Sequence, residues 1–149
     1  MMFKSTVLTI GIIASSLFAV TSAEPTRFSS CGSAADIGHP IRVTISPDPP
    51  AAGKDVTVSI DAQLDQPVNN GDISVKLMVG PFPFNSNLKL CDIAPLSGNS
   101  CPLSAGMHKL VIKHDIPALL QGRPVGFEFR GVADGGRPLF CYQGSTTIA

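Results

Sequence analysis

The chain has 149 residues, 44% of them hydrophobic, with 11 basic and 11 acidic side chains and a formal charge of zero. No run of like charge appears, which argues against a nucleic-acid or polybasic membrane surface as the main function. The length fits one domain of ordinary size with a real core.

Lys4 precedes an apolar run from Val7 to Val20, and Thr21-Ser22-Ala23 supplies small residues before a cut at Glu24. Together these predict a secretory signal over residues 1–23 and a single mature domain over residues 24–149. The apolar run is shorter than the about 20 residues that span a bilayer. All four cysteines, Cys31, Cys91, Cys101 and Cys141, fall after the signal. An even count in a secreted chain predicts two disulfides, and the close pairs that zinc favours are missing.

Residues 24–30 are a lead-in that places Phe28 just before Cys31, and a loop through Gly32 and Gly38 follows. From His39 to Ser46 apolar and polar residues alternate, which predicts a half-buried strand with Ile41, Val43 and Ile45 inward. The run Pro47-Asp48-Pro49-Pro50-Ala51-Ala52-Gly53 reads as a stiff turn. Lys54 to Leu64 alternates again, with Val56, Val58, Ile60, Ala62 and Leu64 inward, and Asp72 to Val79 repeats the pattern with Ile73, Val75, Leu77 and Val79.

That third strand delivers the chain into Gly80-Pro81-Phe82-Pro83-Phe84. Proline cannot donate to a ladder, so Phe82 and Phe84 are expected where pairing is loosened, at an edge or end of a sheet. Two readings follow: the rings fold over the core, or they form a lid over an apolar ligand. Leu88 to Ile93 reads as a short strand around Cys91. Cys91 and Cys101 bracket a turn-rich loop containing Pro95, Ser97, Gly98 and Asn99.

His108 to Ile116 alternates with Leu110, Ile112 and Ile116 inward, and Pro117 ends it. The loop from Ala118 to Pro124 carries Leu119 and Leu120, apolar side chains with no strand to bury them. Val125, Phe127 and Phe129 share a strand face, Asp134-Gly135-Gly136 is a hairpin turn, and Pro138 to Ile148 is the final strand. No stretch of ten or more residues has helical periodicity. About seven short strands punctuated by Gly and Pro predict an all-β, immunoglobulin-like antiparallel sandwich.

Four cysteines permit three pairings. Position favours Cys31–Cys141, which ties the two ends of the domain, and Cys91–Cys101, which pins the root of the Phe-Pro segment. His108 and His114 share a strand face but stand about 20 Å apart, too far to hold one metal together. There is no G-x-S-x-G, H-E-x-x-H or P-loop, so neither an enzyme nor a cofactor or metal is expected.

Four pieces of the chain resemble the MD-2-related lipid-recognition (ML) domain family. They are Phe28-x-x-Cys31-Gly32, Ile45 to Gly53 with Val56-Thr57-Val58, Gly80 to Phe84 with Cys91 and Cys101-Pro102-Leu103, and Leu139-Phe140-Cys141-Tyr142. The second is similar to the family's fungal phosphatidylglycerol/phosphatidylinositol transfer branch, and the third to its Niemann–Pick type C2 sterol-binding branch. The resemblance implies two sheets that splay to hold a lipid in an apolar cavity, and it implies the same two disulfides. It also implies that Phe82 or Phe84 gates the pocket, with Ile116, Leu119 and Leu120 on the opposite lip. This chain has no aromatic on that lip. Val58, Ile60, Val75, Leu77, Ile112, Phe127 and Phe129 are then candidate lining residues, since apolar cores and apolar pockets share a composition.

The leading expectation is a secreted, monomeric carrier of a sterol or phospholipid that docks transiently on membranes, outside the cell or in a vacuolar or lysosomal lumen. The competing expectation is a closed immunoglobulin-like recognition or adhesion module with a filled core.

Overall fold

The computed structural model describes residues 24–149, and the predicted signal lies outside the described residues. Eight strands form: β1 (Arg27–Ser30), β2 (Gly38–Ser46), β3 (Asp55–Leu64), β4 (Gly71–Val79), β5 (Phe82–Lys89), β6 (Gly106–Asp115), β7 (Pro124–Ala133) and β8 (Pro138–Thr147). Among the described residues a single short α-helix, α1 (Leu90–Ile93), follows β5 and runs into a 3-10 turn over Ala94–Ser97. No helix among the described residues is long and apolar enough to cross a membrane.

The strands make two antiparallel sheets. One has five strands in the order β1-β8-β7-β4-β5, and the other has three in the order β2-β3-β6. Strict alternation drives this arrangement. In β3 every second residue from Val56 to Leu64 is buried, and in β7 the same holds from Val125 to Ala133. The main core lies between the sheets toward the α1 end, where Ile60, Val68, Ile73, Leu90 and Leu139 are fully buried. A smaller cluster of Val56, Ile116, Leu120, Val125 and Ile148 closes the opposite end.

The sulfurs pair as Cys31–Cys141 and Cys91–Cys101, with Cα atoms 4.9 and 5.5 Å apart. The first ties the segment after β1 to β8. The second staples α1 to the loop before β6.

Four expectations need correction. The strands number eight, because the lead-in pairs with β8 as β1, with Phe28 opposite Gly144. The expected strand over Leu88 to Ile93 is instead the end of β5 followed by α1. The Phe-Pro segment is itself paired: Phe82 and Pro83 stand opposite Val79 and Met78. Pro83 is tolerated because β5 is an outer strand, with one row of backbone groups outside any ladder. Its polar centre, Asn85-Ser86-Asn87, hides the alternation that would have marked it.

Ile41 also departs from its expected inward position and is 65% exposed. Pro40 faces Ala62 and Arg42 faces Asp61, so Ile41 is an extra residue that the ladder skips. Such a bulge turns one side chain off the regular pleat.

An apolar slot between two free sheet edges

The two sheets meet closely on the β2 and β8 side, where the Tyr142 hydroxyl donates to the Pro40 carbonyl oxygen at 3.4 Å. On the other side stand β5 and β6, each the outer strand of its own sheet and not paired with the other. They are joined through α1 and the following turn, where Ser97 Oγ and Asn99 Nδ2 both donate to the Lys109 carbonyl oxygen of β6. Along the β5–β6 side the sandwich is therefore held at the α1 end, while at the far end the ties lie on the β2–β8 side, where the Ala149 N–H donates to the Pro50 carbonyl oxygen and the Ala52 N–H to that of Ala149, each at 2.8 Å.

An apolar cavity of about 70 Å³ lies between the sheets near the unstapled end. Its walls come from alternate residues of six strands: Ile45 of β2, Val56 and Val58 of β3, Val75 and Leu77 of β4, Ser86 and Leu88 of β5, Ile112 of β6, and Val125, Phe127 and Phe129 of β7. Pro50, Ile116, Thr146 and Ile148 close the end, and Lys113 and His114 flank the side. Phe28, Phe127 and Phe129 form a run of tilted rings, with centroids 5.2 and 5.6 Å apart.

Of the twelve residues singled out in the sequence for a lipid site, Val58, Val75, Leu77, Ile112, Ile116, Phe127 and Phe129 line this cavity. Ile60 does not: it lies two residues further toward α1, opposite Leu110 and Val43, and is wholly buried in the main core. Phe82, Phe84, Leu119 and Leu120 do not line it either. They form a separate external groove of about 370 Å³ with Val79, Gly80, Pro81, Arg123 and Pro124.

The register explains the position of the rings. Phe84 stands opposite Leu77, and Phe82 opposite Val79. Directly opposed residues of an antiparallel pair project to the same face. Both rings therefore belong to the inner face of the larger sheet, but no strand of the smaller sheet covers them. They look across the groove at the 3-10 turn Ala118–Leu120 and remain 66% and 59% exposed. Leu119 is 79% exposed on the far lip, while Leu120 turns inward at 7%. The two leucines of the lip thus have different roles: Leu119 faces water, and Leu120 belongs to the cluster that separates groove from cavity.

Lining residues that the sequence did not single out include the aliphatic Ile45, Val56, Leu88, Val125 and Ile148. Val56, Leu88 and Val125 share the parity of the chosen Val58, Phe84 and Phe127, so alternation could have found them, whereas β2 and the end of β8 had no chosen residue to point to Ile45 and Ile148.

Polar groups near the slot are few. Thr146 Oγ1 accepts from Thr26 Oγ1 at 3.0 Å, and Asp48 Oδ1 accepts from the Thr26 backbone N–H at 2.8 Å, which ties the segment before β1 to the turn after β2. Asp55 and Asp115 are register partners at the end of the β3–β6 ladder. A hydrogen bond from one carboxyl to the other, and then their mutual repulsion, push the Asp55 pKa above its ordinary 3.8. Among the described residues, Lys54, Lys113 and Arg123 near this end have no carboxylate partner. His108, at the other end of β6, is engaged by Asn99 Oδ1 at 3.2 Å and the Ser104 carbonyl oxygen at 2.7 Å. Cys31, Cys141 and Glu128 come close enough for a metal, but both sulfurs are consumed in one disulfide and offer no thiolate.

The chain is similar to several known proteins. A protein of Dictyostelium discoideum named as a phosphatidylglycerol/phosphatidylinositol transfer protein is 33% identical over 93 residues, 61% of this chain and 64% of that protein. A phosphatidylglycerol/phosphatidylinositol transfer protein of Mycosarcoma maydis is 28% identical over 120 residues, 77% of this chain and 62% of that protein. The matches thus span less than two thirds of these relatives' own length. A crystal structure of a Niemann-Pick type C2 protein from the Japanese carpenter ant superposes with a TM-score of 0.67 at 18% identity, over 83% of this chain and 99% of that one. Residues 25–148 match the family model of the ML domain, so this chain belongs to the ML domain family.

Proposed function

We propose that this protein carries single lipid molecules, a phospholipid such as phosphatidylglycerol or phosphatidylinositol, or a sterol, between membranes. The observation that carries this reading is the slot itself. An apolar cavity lies between two unpaired sheet edges and adjoins a lip of exposed Phe82, Phe84 and Leu119. A filled recognition module would have no reason to leave inner-face rings uncovered at that place. Two relatives whose names describe phosphatidylglycerol and phosphatidylinositol transfer support the same reading.

At about 70 Å³ the cavity is far below the roughly 300–1,000 Å³ of ligand pockets. Uptake therefore requires β5 and β6 to part, with α1 and the Cys91–Cys101 bridge as the fixed end. The driving force is apolar burial, about 25 cal/mol per Å² removed from water, and the head group stays at the mouth. The same exposed rings meet the bilayer during loading and delivery. The work is solubilisation and transfer, with no covalent step. The sequence features of a secretory signal and two disulfides fit an extracellular or lumenal place of action.

Native mass spectrometry of the purified protein, followed by extraction and identification of any bound molecule, tests this reading. A bound phospholipid or sterol is expected. An unliganded mass that persists after incubation with vesicles of both lipid classes would return the protein to the filled-module reading.

A further inference from the structure

We infer that the groove beneath Phe82 and Phe84 is a second chain site: a diacyl phospholipid lays one acyl chain between the sheets and the other in this groove, with Arg123 on its phosphate. The inference rests on the carrier reading and adds the ligand class and the part the groove plays.

The groove has the volume of a ligand site, about 370 Å³ against the roughly 300–1,000 Å³ usual for small molecules. Its walls are apolar apart from Arg123. It lies against the inner cavity with one layer of side chains between them. Leu120 lines the groove and packs with Ile116, Val125 and Ile148, which line the cavity, and Val79 joins the same cluster from the other wall. A molecule with two tails joined at one head can straddle that layer, which a single rigid ring system cannot.

Exposure points the same way. Phe82, Phe84 and Leu119 stand more than half exposed around the groove. A bilayer covers them while the protein is docked, but a carrier in transit has to leave them in water. A second acyl chain covers them in transit as well.

Arg123 completes the set. It is the one charged residue lining the groove, and among the described residues it has no ion pair. Its backbone is fixed on both sides: its N–H donates to the Leu120 carbonyl oxygen at 2.9 Å, and its carbonyl oxygen accepts from the Ile148 N–H at 3.0 Å. An exposed guanidinium carried on a fixed backbone beside an apolar trough matches a phosphodiester joined to an acyl chain, because its planar fork binds phosphate through two parallel hydrogen bonds.

The test uses ligands that need no bilayer. Isothermal titration with monomeric dioctanoyl phosphatidylglycerol, dioctanoylglycerol and lauric acid compares the natural protein with Phe84→Asp, Leu119→Asp and Arg123→Gln, each first shown to melt as the natural protein does. Phe84→Asp and Leu119→Asp should weaken both two-chain ligands by about tenfold or more and leave lauric acid within about twofold, since only the second chain meets the groove. Arg123→Gln should weaken phosphatidylglycerol by about tenfold and spare dioctanoylglycerol, which lacks the phosphate. Unchanged phosphatidylglycerol affinity in all three variants, with vesicle-to-vesicle transfer lost, would assign the groove to bilayer contact alone and overturn the inference. Equal losses for lauric acid would overturn it too, by merging groove and cavity into one site. If the natural protein binds none of the three ligands, this inference fails; cholesterol binding by the same protein would then keep the carrier reading as a sterol carrier, and its absence would end that reading too.

Discussion

Gly144 stands opposite Phe28 in the β1–β8 ladder, and its missing side chain shapes one wall of the slot. A Cβ there would collide with the Arg27 carbonyl oxygen and lie 2.6 Å from the Phe127 ring. The backbone of Arg27 cannot swing aside as a side-chain tip would. Gly144→Ala should therefore destabilise by about 1–3 kcal/mol through overpacking, seen as a lower urea midpoint at an unchanged slope. A midpoint equal to that of the natural protein would mean that β1 shifts freely. Asp55 and Asp115 give a second prediction at this scale. The folded state holds the Asp55 proton more tightly than the unfolded chain does, because the protonated carboxyl bonds to Asp115 and the ionised one is repelled by it. Stability from this pair is present below the ordinary aspartate value of 3.8 and declines as pH rises through the raised folded value. Asp115→Asn removes the repulsion. It should melt above the natural protein at pH 7, with the difference closing near pH 3. A constant difference across that range would remove the pair from the account of stability.

At the scale of elements, β5 and α1 were the hardest to read in the sequence and matter most to the site. The prolines and the Asn-Ser-Asn centre pointed away from a strand, yet the outer position lets β5 pair along its whole length with β4. Phe82 and Phe84 then follow from register, not from a free loop. The Cys91–Cys101 bridge closes a loop of separation 10 and contributes roughly 3 kcal/mol on the chain-entropy model. Because it also fixes the end about which β5 and β6 part, Cys91→Ala/Cys101→Ala should lose about that much stability and show faster amide exchange in β5 and β6 than in β7. Uniform exchange across the sheets would detach the bridge from the opening motion. The pairing itself was legible beforehand, since position along the chain already favoured it.

For the whole molecule, a narrow slot that must widen to load makes stability depend on ligand. A lipid that binds only the folded state raises stability by about 2.7 kcal/mol at a hundred times its Kd. A melting temperature that climbs steadily with soluble dioctanoyl phosphatidylglycerol is the expected result, and a flat response would count against binding to the native state. Filling the slot should also have the opposite effect on uptake. Val75→Phe projects a ring between the sheets and should reduce lipid binding by an order of magnitude or more, while its cost in stability stays within the usual 1–3 kcal/mol of overpacking. Unaltered binding would place the lipid elsewhere.

Alternation was enough to fix which side chains face inward along β3, β4, β6 and β7, where most strands run, and hence the all-β sandwich, but not at the β2 bulge or along β5. Cysteine order was enough to favour the two bridges. Depth was a different matter. Val58 and Ile60 have the same parity and nearly the same chemistry, yet one lines the slot and the other fills the core, because the place where the sheets part depends on long-range pairing and splay. Leu119 and Leu120 are neighbours of identical type, yet a single 3-10 turn sends one into water and the other into the end cluster. Phe82 and Phe84 are inner-face residues that lie uncovered only because the smaller sheet stops short of them. Periodicity records the face of a strand, whereas the position of a cavity along that face depends on what the opposite sheet covers.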